Sequence, residues 1–169
     1  MSHMDTAELR ATQRPLKQRY REDPGAAVVT LRAEGDLDTG GVSCSVSTGR
    51  ALVEAGLHPA TGGTGTLACS GEMLLESLVA CAGVTLGAVA TNTGLDVTGR
   101  VRAEGDWDAR GTLGADRDAP VGLTSIRLTF DLESDASAEE LDKLVETTER
   151  YCVVLQTLQN GPAITVDRG

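Results

Sequence analysis

The stretch SGEMLLESLVACAGVTLGAVATNTG, residues 70–94, decides how the rest of the chain is read. Ser70 offers a hydroxyl suited to a helix N-cap, and Gly94 is the residue type that most often ends a helix in the left-handed conformation. Between them nearly every side chain is apolar or small. That pattern predicts burial all round rather than an amphipathic surface helix. The alanines and glycines suit close packing between backbones, or between subunits. Over residues 73–90, Glu76, Ser77, Thr85 and two glycines interrupt the run. It therefore falls short of the ~20 clean apolar residues of a membrane span.

Working outward, AAVVTLRA (26–33) reads as a strand, GDLDTGG (35–41) as a turn, and VSCSVS (42–47) as a second strand. In the latter Val42, Cys44 and Val46 alternate with serines, so the two strands form a hairpin with Cys44 as inward filling. HPATGGTGTLACSG (58–71) is a glycine-rich loop without the lysine or the spacing of a phosphate loop. Downstream, Leu95, Val97, Val101 and Ala103 share one face of a strand over 95–105. A loop over 106–120 leads to a strand in which Ile126, Leu128, Phe130 and Leu132 alternate with polar residues. Ser137-x-x-Glu140 is a capping box opening a helix with Leu141, Leu144, Val145 and Thr148 on one face. CVVLQTLQ (152–159) is a second helical stretch stopped at Asn160-Gly161, and PAITV (162–166) reads as a closing strand. The order β-β-α-β-β-α-α-β predicts an α+β fold.

The 169 residues suit a polar N-terminal arm over 1–24, of which Met1–Met4 read as a cloning remnant, and a single domain over 25–169. A net charge of −10 argues against nucleic acid as a partner and against anionic membranes. Aromatics make up only 2%, so Leu, Val, Ala and Ile must build the core. Four cysteines are too few for a disulfide scaffold, and no charged-apolar-small leader opens the chain. A reducing cytoplasm follows as the expected location, where cysteines serve as packing, ligands or reactive thiols.

Two of them sit in apolar helical runs: Cys81 in ESLVACAGVTL and Cys152 in ERYCVVLQTL. An ordinary thiol has a pKa near 8.5, so only ~3% is thiolate at pH 7. Attack on a peroxide needs that thiolate. Cys81 lies eleven residues past Ser70, roughly 16 Å along the axis, whereas the helix dipole acts within the first turn. An arginine or histidine must therefore come from elsewhere. Glu72 precedes Cys81 by nine residues, which at about 100° per residue places the two side chains on opposite sides. Glu72 either caps its own helix start or serves another subunit. Spacing alone leaves open whether the thiols are packing or chemistry.

GEMLLESLVACAGVTL followed, after two strands and a capping-box helix, by ERYCVVLQTL resembles the OsmC/Ohr family of thiol peroxidases over roughly residues 25–167. The resemblance implies an OsmC-like intertwined homodimer, with long central helices between two curved sheets and active sites at the interface. It implies that Cys81 is the peroxidatic cysteine, Cys152 the resolving cysteine, and Glu72 the acidic residue that holds an activating arginine. It implies a thiol-dependent peroxidase acting on organic hydroperoxides without a cofactor, regenerated by a dithiol such as a lipoylated protein. Three departures stand out: Val153 replaces a proline, Cys69 is an extra thiol, and no arginine matches the activating one. His58 is the candidate substitute cation, with Arg19, Arg32, Arg50 and Arg110 as others. The alternative is a catalytically silent OsmC-like dimer that binds a small ligand or acts as a stress-response module. A zinc site from Cys44, His58 and Cys69 has no compact ligand spacing.

Overall fold

The computed structural model describes residues 34–37, 43–47 and 52–168, together with scattered positions between Thr6 and Glu22. The strand expected over 26–33 lies outside the described residues. So do Arg19, Arg32 and Arg50, and the side-chain direction of Cys44.

Strands β1 (Glu34–Leu37), β2 (Ser43–Ser47) and β3 (Leu52–Gly56) pair antiparallel in sequence, and the two-residue β4 (Ala68–Cys69) adds parallel to β3. A hairpin joins β1 and β2, and Gly35–Leu37, expected in the turn, belong to its first strand. A 3₁₀ turn over Pro59–Thr61 precedes β4. Helix α1 (Ser70–Thr93) follows. Strands β5 (Thr98–Trp107) and β6 (Leu123–Glu133) make a two-stranded sheet. The loop expected between them contains a short helix, α2 (Ala109–Leu113). Asp108 caps its start, accepting from the Arg110 amide, and Gly114 at φ +65° ends it. Helices α3 (Ala138–Tyr151) and α4 (Val153–Gln159) close the element order.

The chain divides into two compact units. The first comprises 1–26, 77–102 and 128–169; the second comprises 27–76 and 103–127. The core of the first is built on α1. Leu78, Ala82, Leu86 and Ala90 recur at every fourth residue and are buried, and Leu86 and Ala90 meet Leu144 of α3. Val89, Leu95, Val97, Phe130, Leu132 and Leu141 pack around them. At the end of α1 the Leu95 amide bonds back to the Ala90 carbonyl at 3.0 Å past Gly94 at φ +77°. That is the expected glycine stop, with its apolar follow-on residue in the core.

The burial of α1 corrects the sequence expectation. Only one stripe is covered; Ala80, Val84 and Gly87 face outward, and Val84 is 76% exposed. A single chain supplies packing for one flank only. The closing strand is likewise not formed among the described residues: residues 161–168 pair with no described strand and are exposed, Ile164 at 80% and Val166 at 89%. Alternating apolar residues become a strand only where a partner edge meets them.

The capping box of α3 is present as expected. The Ser137 hydroxyl accepts from the Glu140 amide, and the Glu140 carboxylate accepts from the Ser137 amide at 2.9 Å. Leu144 and Thr148 form the buried stripe of this helix. Part of the N-terminal arm docks on the end of α1. Thr6 Oγ1 donates to the Thr91 carbonyl at 2.7 Å and Arg10 to that of Asn92 at 2.8 Å, satisfying acceptors that a helix C-terminus leaves free.

Candidate functional site

Helices α3 and α4 would be one helix but for Cys152, whose φ of −73° and ψ of 106° take it out of helical conformation. Its amide still closes α3, bonding the Thr148 carbonyl at 2.9 Å, and its carbonyl accepts the first bond of α4 from the Gln156 amide at 2.9 Å. The break forms with valine at 153; a proline is not required for it. The amides that follow, of Val153, Val154 and Leu155, lie in the first turn of α4, where a helix leaves its N–H groups without internal acceptors.

Those amides are spent on sulfur. Burial pushes the Cys81 thiol up, but the Val154 amide, the Cys152 thiol, the Val153 amide and the Thr85 hydroxyl together more than offset it. The Cys81 pKa therefore falls below that of an ordinary thiol. Cys152 moves the other way. Burial raises its pKa most, and donation to Cys81 with the charge there raises it further, against the amides of Leu155 and Val154. Cys152 is fully buried at 0% exposure, and Cys81 is half-buried. Two thiols 71 positions apart in sequence thus touch, one poised to ionise and the other to keep its proton.

Among the described residues, the groups that hold Cys81 all come from its own unit, and none is a cation. Glu72 and His58 belong to the second unit. Glu72 sits exposed in the first turn of α1, where a carboxylate complements the helix dipole. His58 holds a turn. Its Nδ1 accepts the Ala60 amide at 3.0 Å, and its ring stands edge-on to Trp107 with centroids 5.5 Å apart. Arg110 is occupied by Asp108 at 2.6 Å and Asp116 at 3.2 Å.

His58, Cys69 and Glu72 line one cavity of about 590 Å³ in the second unit, together with Leu57, Leu75, Trp107, Val121 and Leu123. The sequence offered the paired cysteines through the family resemblance, while their helical contexts alone left packing and chemistry open. It did not signal the three amides after Cys152, because backbone groups carry no residue signature.

A family model described as OsmC-like protein matches residues 63–167. The chain belongs to the OsmC-like family. Comparison with curated proteins gives no match. Among solved structures, an OsmC-like protein from Mycoplasma pneumoniae superposes with a TM-score of 0.67 at 18% identity, covering 79% of this chain and 89% of that one. An organic hydroperoxide resistance protein OsmC from Legionella pneumophila gives 0.57 at 15% identity, covering 79% and 91%. The organic hydroperoxide resistance protein OhrB of Bacillus subtilis gives 0.52 at 16%, covering 79% and 93%. At these identities the likeness speaks for the α+β fold.

Proposed function

We propose that this OsmC-like chain is a thiol peroxidase for organic hydroperoxides, with Cys81 as the attacking and Cys152 as the resolving cysteine. The contact between two thiols shifted in opposite directions is the observation that carries this reading. The Cys81 thiolate attacks the outer oxygen of a hydroperoxide, the O–O bond breaks, and the alcohol leaves with a proton. Cys81 is then a sulfenic acid. The Cys152 thiol attacks that sulfur, water leaves, and a disulfide joins the two. A dithiol reductant restores both thiols and is itself oxidised to a disulfide. The amides of Val153 and Val154 stabilise the charge on Cys81.

The exposed flank of α1, with Ala80, Val84 and Gly87, supports assembly as a homodimer, since a second copy of the same flank would cover it. Val84→Glu should leave the protein monomeric by light scattering; an unchanged dimer would place the interface elsewhere.

The activity is tested on purified protein by peroxide-dependent oxidation of a dithiol. Cys81→Ser should abolish turnover. Cys152→Ser should accumulate a sulfenic acid that reacts with dimedone. Undiminished turnover in Cys81→Ser would refute the assignment.

A further inference from the structure

The cavity of the second unit contains neither of the paired thiols, and its lining specifies a ligand of its own. Its volume of about 590 Å³ falls within the range of about 300–1,000 Å³ typical of small-molecule sites. Its body is apolar: Leu57, Leu75, Trp107, Val121 and Leu123. Gly105 keeps it open, because a Cβ there would lie 3.2 Å from Leu123 and 3.4 Å from Leu75. Two carboxylates, Glu72 and Glu104, are the only ionised side chains among the lining residues, so the cavity disfavours anions. His58 supplies a directed donor. Because Nδ1 accepts the Ala60 amide, the neutral ring carries its proton on Nε2, which has no acceptor among the described residues. Cys69, also among the lining residues, supplies a free, half-buried thiol.

We propose that this cavity binds uncharged carbonyl compounds with an apolar tail, and that Cys69 captures those whose carbonyl is conjugated to a C=C bond. The tail packs on the leucines, Val121 and Trp107, and the carbonyl oxygen accepts from His58 Nε2–H. Cys69 sulfur bonds to the β-carbon, the π pair of the C=C bond moves to form the enolate, and the proton released by the thiol ends on the α-carbon. The adduct is the sum of thiol and ligand, with nothing oxidised or reduced by an outside reagent.

The test uses the full chain with 1-octen-3-one, but-3-en-2-one and acrylate, with adducts located by peptide mass spectrometry. The folded-to-unfolded rate ratio at Cys69 should be about tenfold higher for the eight-carbon than for the four-carbon ketone, since four added methylenes enter an apolar wall only partly. Acrylate should react more slowly in the folded than in the unfolded chain. Val121→Glu, a change at an exposed position, should remove the chain-length preference. His58→Asp, which keeps an acceptor for the Ala60 amide but has no donor, should slow the eight-carbon ketone several-fold. Saturated 2-octanone should protect Cys69 from iodoacetamide in the parent chain but not in Val121→Glu. A chain-length ratio near one, or one unmoved by Val121→Glu, overturns the proposal. All these readouts are taken at Cys69 and are expected unchanged in a Cys81→Ser background, so their failure is separate from failure of the peroxidase assignment.

Discussion

The middle of α1 and the break between α3 and α4 each hold one thiol of the touching pair, and they offer sulfur opposite surroundings. Inside α1 every amide near Cys81 is committed to the carbonyl one turn back, so its own helix has no donors to give. At Cys152 the chain leaves helical geometry for one residue, and the next three amides are released. The donors that favour a thiolate therefore stand at one element while the sulfur they serve stands on another. A cysteine's position on its own helix is a poor guide to its ionisation; what faces it across the packing decides.

Breaking the pair should give the largest effect. Cys81→Ser reduces peroxide turnover to background, whereas Cys152→Ser retains one round of oxidation per chain, both measured in single-turnover kinetics. Next comes the packing that brings the two regions together. Leu144 of α3 is buried against Leu86 and Ala90 of α1, and Leu144→Ala should cost about 2–5 kcal/mol in urea denaturation. A milder change sharpens the comparison. Val153→Pro keeps a residue compatible with the first helical position but deletes one amide donor, so the Cys81 titration followed by iodoacetamide should move towards higher pH. An unmoved midpoint would mean that the Val153 amide does not contribute.

The pH dependence has a definite sign. With Cys81 lowered and Cys152 raised, there is a window between the two midpoints in which Cys81 is thiolate and Cys152 is thiol. The oxidation rate should climb with pH, level off within that window, and fall about tenfold per pH unit below the Cys81 midpoint. The smallest effect belongs to the lead into α3. Ser137→Ala removes its capping hydroxyl and should lower stability by about 1 kcal/mol.

The α+β class, the span of α1, its glycine stop, the capping box and the two cysteine contexts were legible because each rests on local residue chemistry. Ser137 and Glu140, for instance, need only one another. What escaped the sequence depends on partners. Gly35–Leu37 read as a turn by composition yet became a strand once β2 lay alongside. Residues 109–113 read as loop although Asp108 and Gly114 bracket a helix start and stop; the short span hid the signal. Ile164 and Val166 alternate as a strand would, but no edge among the described residues receives them. His58, sought as an activating cation, stands in the second unit and holds a turn, its Nδ1 accepting the Ala60 amide.

If two chains cover each other's exposed flank of α1, folding is tied to mass action, and the midpoint of thermal unfolding rises with the amount of protein in the tube. Dilution then weakens the fold itself, and the thiol pair would be lost with it.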